Sequence, residues 1–264
     1  MKHLGKVLIT AGALALSAFS HAAPVIDWNV TTTGTWTAFA PNSGVTLSNG
    51  AKTLTWGQST GSGQSSLAIS NPPAPINIPT WYGAGLPPPG YIAQSVTLTH
   101  TNNPVTGASL TSATLSVSLI LQATNPSGNA LPPSVIDYDI KFVETPNETP
   151  CAAPSPANNP CNDIFVQVSG LLNEQFVYDG QTYFVNAFPT NGSVLSVLPT
   201  SACTAAGVAA GCIGFTTEER QATQLPFGLT ISSTRLQVPE PGSLALIGLA
   251  LAGAGFISRR RRSA

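Results

Sequence analysis

A chain of 264 residues with 42% hydrophobic and only 8% charged side chains is long enough for one large domain and unusually sparing with surface charge. Its formal net charge of −1 averages two basic ends and an acidic middle. Between residues 23 and 238 the bases Lys52, Lys141, Arg220 and Arg235 face ten Asp and Glu, a net of −6, and such a body repels phosphate backbones and argues against a nucleic-acid partner.

Lys2 and Lys6 precede an apolar run over residues 7–19, and Ser20, Ala22 and Ala23 follow it. This order predicts a signal peptide over residues 1–22, removed by signal peptidase after Ala22, with Ala23 as the near alternative. The run is too short to span a bilayer as an anchor.

Residues 23–237 read as strands. Ile26, Trp28 and Val30 alternate with polar residues, as do Leu54 and Trp56, and Val96, Leu98 and His100 share one face. Leu115, Val117, Leu119 and Leu121 form one apolar row. Ile136, Tyr138, Ile140 and Phe142 point one way, and Asp137, Asp139 and Lys141 the other. Phe176 to Tyr178, then Asp179-Gly180, then Thr182 to Phe184 predicts a hairpin. Leu229, Ile231 and residues 235–238 predict a closing strand. Residues 71–89 hold seven prolines and are expected to be an ordered surface loop or flap, and residues 57–66 a flexible Ser/Gly connection. No helical stripe of eleven or more residues appears in the body. The expected fold class is all-β, an antiparallel, jelly-roll-like β-sandwich flanked by an N-terminal signal helix and a C-terminal apolar helix.

Four cysteines form two local pairs, Cys151/Cys161 and Cys203/Cys212. In an oxidising compartment disulfides are the default, and of the three connectivities the local one closes two short loops. A zinc site would need closer pairs or nearby histidines.

Residues 238–264 form a third segment. Val238-Pro239-Glu240-Pro241-Gly242 leads into an uncharged run over residues 243–257, and Arg259, Arg260, Arg261 and Arg262 close the chain as a stop-transfer cluster. Fifteen helical residues reach about 22 Å, short of a ~30 Å hydrocarbon core. The arginines are expected to stay cytoplasmic and leave the body on the other side.

This end resembles the PEP-CTERM sorting signal of Gram-negative bacteria: a Pro-Glu-Pro motif, an apolar helix, then arginines. The resemblance implies recognition by an exosortase, cleavage near the motif, and association with exopolysaccharide and biofilm. Thr99-His100-Thr101-Asn102 is similar to the motif that names the THxN family of PEP-CTERM proteins. Glu144-Thr145-Pro146-Asn147 before Cys151, Cys161 and Asp163-Ile164-Phe165 also looks like that family, as does Gly214-Phe215-Thr216-Thr217-Glu218-Glu219. The resemblance implies an address and a fold but no reaction.

Candidate chemistry is thin. His100 is the one histidine left after signal cleavage, and it reads either as a general base beside Asn102 or Glu144 or as a hydrogen-bonded strand-end residue. Gly57-Gln58-Ser59-Thr60-Gly61 has nucleophile-elbow spacing, yet no helix follows and no acid lies between Ser59 and His100. Asp137, Asp139 and Lys141 share a solvated face. Glu144 falls in phase with Ile140 and Phe142, so it either ends its strand or enters the interior with a partner such as Arg220 or Arg235, or caps the turn before Asn147. No Asp-x-Asp-x-Asp-Gly calcium loop is present, and neither a cofactor nor a metal is expected.

The expectation is therefore a non-enzymatic cell-surface or matrix protein. It passes through an inner-membrane-anchored intermediate with a periplasmic body and then reaches the cell surface or exterior. One alternative is an exopolysaccharide-binding module using Trp81 and Tyr82, and another is a glycan hydrolase.

Overall fold

The computed structural model describes residues 23–237, apart from residues 74, 84, 158–160, 169–172 and 191–195. The expected signal helix, the apolar C-terminal helix, Pro239, Glu240, Pro241 and the four terminal arginines lie outside the described residues.

The elements follow in chain order. First come β1 (Asp27–Ala40), β2 (Val45–Ser48), β3 (Thr53–Trp56), β4 (Gln58–Ser59), β5 (Ser65–Ser70) and β6 (Ile76–Trp81). A 3-10 turn at Pro89–Tyr91 precedes β7 (Ala93–Asn102), β8 (Val105–Thr106), β9 (Ser112–Asn125), β10 (Ser127–Ala130) and β11 (Ser134–Val143). Next are β12 (Asp163–Gln167), β13 (Glu174–Tyr178), β14 (Gln181–Pro189) and β15 (Ser196–Val197). The short α1 (Thr200–Ala205), β16 (Ile213–Thr217) and β17 (Gln221–Ser232) complete the body.

The chain is mostly strand, as the period-2 patterns predict. One continuous sheet runs β15-β16-β12-β11-β9-β1-β6-β17-β7-β5-β3-β2, with β10, β13 and β14 attached at its sides. Every pairing is antiparallel except β6 with β17, which is parallel, so the sheet is mixed where a purely antiparallel one was expected. The inner faces of its two halves share one core. Trp36 and Leu115 from β1 and β9 cluster with Leu67, Val96 and Leu98 from β5 and β7. At Gly34 the halves approach so closely that an added Cβ would lie 3.0 Å from Val96 and 3.1 Å from Ile69. A second cluster gathers around Trp28, whose indole meets Phe176, Tyr178 and Tyr183 edge-on at 5.1–5.4 Å between ring centres.

Several expectations are corrected. Within the proline-rich stretch, residues 76–81 form β6, with Ile78 and Thr80 buried and Pro79 on the partly exposed row. The closing strand starts earlier than expected, at Gln221, and ends at Ser232. Residues 235–237 are not strand, and Val238 lies outside the described residues. The Ser/Gly connection contains β4, tied to β8 through Gln58 and Ser59. A six-residue helix, α1, too short to conflict with the absence of a long helical stripe, carries Cys203. The hairpin is as predicted, with Asp179 (φ 47°) and Gly180 (φ 75°) supplying the two left-handed turn residues. Both local cysteine pairs are bonded, Cys151 to Cys161 and Cys203 to Cys212.

Alternation of inward and outward side chains makes a direct prediction. Leu115→Ala, at a fully buried site, lowers the unfolding free energy by about 2–5 kcal/mol. Val135→Ala, on the exposed row of β11, changes it by less than about 0.5 kcal/mol. Urea unfolding of the two variants decides the register, and equal losses would refute it.

Candidate functional site

Strand β11 keeps Tyr138, Ile140 and Phe142 inside, and the same phase carries Glu144, just past the strand end, toward the interior. Val143 pairs with Ile164 across β11 and β12, which sets Asp163 at the start of β12 beside the Glu144–Thr145 corner. Asp163 pairs in turn with Thr217 at the end of β16. Residues 218–220 then carry the chain from β16 to β17, and Glu219 sits in this crossing. Arg220 turns it with φ 60°. Three carboxylates from three separate segments thereby converge. One oxygen each of Glu144, Asp163 and Glu219 lies within 4.8 Å of the others, and Asp163 and Glu219 are buried while Glu144 is half-buried.

Each carboxylate has a specific donor. Trp56 Nε1–H donates to Glu144 Oε2 at 2.7 Å. The Thr145 backbone N–H donates to Asp163 Oδ1 at 2.9 Å, and Asn147 Nδ2 donates to Glu219 Oε1 at 2.8 Å. The other oxygens, Asp163 Oδ2 and Glu219 Oε2, are sealed from solvent without a partner. Burial raises the Glu144 carboxyl, and the Trp56 hydrogen bond opposes that rise. Burial raises Asp163 as well, reinforced by the Glu144 charge and opposed by the Thr145 N–H. Glu144 and Asp163 are both thereby held toward their protonated forms.

The anticipated arginine partners of Glu144 are replaced by an indole. Arg235 instead lies over the Phe184 ring, 5.2 Å from its centre. Electrostatics explains the choice, since a guanidinium carries its own desolvation cost into the interior whereas an indole N–H carries none.

His100 occupies the neighbouring layer. It is 1% exposed, stacks on Trp56 at 5.7 Å and meets Phe142 edge-on at 5.0 Å. Its Nδ1 hydrogen-bonds Thr217 Oγ1 at 2.8 Å, and burial drives the imidazole down to about 3, so the ring is neutral. Asn102, also buried, donates from Nδ2 to the Thr217 carbonyl at 3.1 Å. Thr99 lies on the opposite, half-exposed row of β7. His100 and Asn102 from β7 and Glu144 and Asn147 from beyond β11 thus gather around Thr217 and the carboxylates, although the two pairs are distant in sequence.

The remaining candidates fall elsewhere. Ser59 is exposed, and its Oγ accepts from the Gly61 and Gly63 N–H groups as a turn brace. Asp137 and Asp139 sit on the exposed row of β11 and accept from Ser116 and Thr114 hydroxyls. Trp81 ends β6, with its N–H bound to the Gly85 carbonyl and its ring against Tyr91 at 5.0 Å, while Tyr82 is 50% exposed. Sequence reasoning did not assign Asp163 and Glu219 to a site. The available signal was an aspartate at the head of an otherwise apolar Ile-Phe-Val run.

Comparison with known proteins bears on the tail. A family model described as the PEP-CTERM protein-sorting motif matches residues 237–262. The chain carries a PEP-CTERM sorting signal. That motif marks it for export and exosortase processing. No curated protein matches the chain.

The neutral imidazole predicts acid sensitivity with a defined sign. The unfolded chain protonates His100 below about pH 6.5 and the folded chain does so only near 3, so stability present above pH 6.5 is lost as pH falls. Relative to His100→Gln, the natural protein loses about 1.4 kcal/mol per pH unit between about 6 and 4. Denaturant unfolding of both proteins across that range measures the difference, and parallel pH profiles would contradict a buried neutral ring.

Proposed function

We propose that this chain is a non-enzymatic cell-surface or extracellular-matrix protein of an exopolysaccharide-forming bacterium, a THxN-type PEP-CTERM protein with a jelly-roll-like sandwich body. Signal peptidase removes residues 1–22, the C-terminal apolar helix holds an inner-membrane intermediate, and exosortase acts near Pro239-Glu240-Pro241. The sorting motif at residues 237–262 carries this reading. Two disulfides and a charge-poor acidic body suit an oxidising exterior.

The test is mass spectrometry of the mature C-terminus from cells with and without their exosortase. The expected result is loss of Arg259, Arg260, Arg261 and Arg262 only when exosortase is present. Arginines retained in the normal strain would overturn the sorting assignment.

A second reading, a glycan-binding module, is favoured by one observation. Trp81, Tyr82 and Tyr91 bring three aromatic rings to one surface region, with Tyr82 half-exposed. Ring faces of this kind stack on sugars. On a glycan array this reading predicts retention of the host exopolysaccharide that falls at least tenfold in Tyr82→Ala, and equal retention by both proteins would end it. The third reading, a glycan hydrolase, draws less support, because its carboxylates would need an open cleft and Asp163 and Glu219 are sealed.

A further inference from the structure

We propose that Glu144, Asp163 and Glu219 form a binding site for one calcium ion. This inference does not depend on the sorting assignment. The three ligand oxygens lie within 4.8 Å of one another, so no pair is farther apart than the span of about 4.6–5.2 Å that two oxygens on opposite sides of a single Ca²⁺ occupy at 2.3–2.6 Å each. Such spacing alone would not separate an ion site from a solvated acidic patch. Burial does. Asp163 is fully buried and Glu219 is 4% exposed; one oxygen of each, Oδ2 and Oε2, is sealed from water and meets no N–H or hydroxyl donor, the other carboxyl that touches Asp163 being that of Glu144. Buried polar atoms in folded proteins find partners as a rule, so two unpartnered carboxylate oxygens within one cluster point to a missing positive ligand.

No side chain of the described residues supplies that charge. The donors that reach the cluster are an indole N–H, a backbone N–H, an amide and, at 3.4 Å, the Thr145 hydroxyl, all neutral, and the groups acting on Glu144 and Asp163 include no Lys or Arg. These donors engage one oxygen of each carboxylate and orient the other, the arrangement that outer partners give to metal ligands. Asn102, whose Nδ2 is fixed to the carbonyl of Thr217, the strand partner of Asp163, also has a buried Oδ1 without a partner.

Ligand chemistry selects the ion. Every donor in the trio is a carboxylate oxygen, which suits a hard cation. Zinc and copper sites draw on imidazole or thiolate, and here the four cysteines are consumed in disulfides while His100 lies outside the trio. Glu144, the least buried of the three, lines an open cleft together with Phe142, Val143 and Gly207.

The full chain, purified in detergent with both disulfides intact and stripped with chelator, is titrated with CaCl₂ at pH 8. The expected result is saturation at one ion per chain with a rise in Tm of about 5 °C or more. Terbium, used as a luminescent stand-in, should show tryptophan-sensitised emission through Trp56, which calcium then quenches by competition. Asp163→Asn and Glu219→Gln keep the acceptors for the Thr145 and Asn147 N–H groups, and each should weaken calcium at least tenfold. If one variant does not fold, the other decides. Absence of a saturable calcium response in the natural protein overturns the proposal, and so does undiminished binding in a folded variant.

Discussion

A carboxylate cannot leave water uncompensated, and the end of this molecule is organised by that constraint. Burial of an ionised carboxylate costs several kcal/mol after relaxation, and here three carboxyl groups converge where β11, β12 and the β16–β17 crossing meet. Neutral donors alone do not balance them. What they do is hold the oxygens in place: Trp56 from β3, Thr145 from the β11 exit and Asn147 from the loop beyond each fix a different carboxylate. The cluster therefore ties the first half of the sheet to the second at one end, as Trp28 and its aromatic ring of neighbours do elsewhere. His100 fits this picture as packing: a neutral ring on Trp56 keeps the indole aimed at Glu144.

Much of the fold was legible because burial imposes period 2 on strands. The rows Leu115 to Leu121 and Ile136 to Phe142 face inward as their alternation required, and Asp179-Gly180 turns where positive φ was needed. Failures have physical causes. Prolines hid β6, because Pro79 occupies the outer row while Ile78 and Thr80 carry the strand's burial. Arg235, Leu236 and Gln237 alternate like a strand, yet side chains capture that segment first. Ser232 Oγ donates to the Thr234 carbonyl, and the Leu236 N–H donates to Asn173 Oδ1. Local capture of this kind competes with ladder formation and leaves no trace in hydrophobic pattern.

The site was legible residue by residue but not as a site. The phase of Glu144 with Phe142 correctly turned it inward, and the local cysteine pairs were readable because short loops close cheaply. Convergence with Asp163 and Glu219 was not readable, because it depends on which strands become neighbours. The register Val143 to Ile164 brings the first two acids together, and the register Asp163 to Thr217 brings the third. Neither pairing has a signature within its own segment, since strand identity follows from the whole sheet order. Sequence offered Arg220 or Arg235 as one partner for Glu144 beside a strand-end or turn-capping role. Desolvation decided otherwise.

The oxidised state of the body and the geometry of its carboxylates are connected through one loop. Cys151 and Cys161 close the excursion between β11 and β12, and that same excursion begins beside Glu144 and ends beside Asp163. Thr145 bridges the two ends, giving its hydroxyl to the Cys161 carbonyl while its N–H holds Asp163. In the reduced, unfolded chain the two acids are free to separate, whereas the bond removes much of that freedom before folding begins, worth about 3 kcal/mol in the chain-entropy model. Oxidation thus brings a repulsive pair close at reduced entropic cost. A chain marked for export meets, on arrival, the oxidant that closes this loop. Topology, redox state and address act on the same few residues.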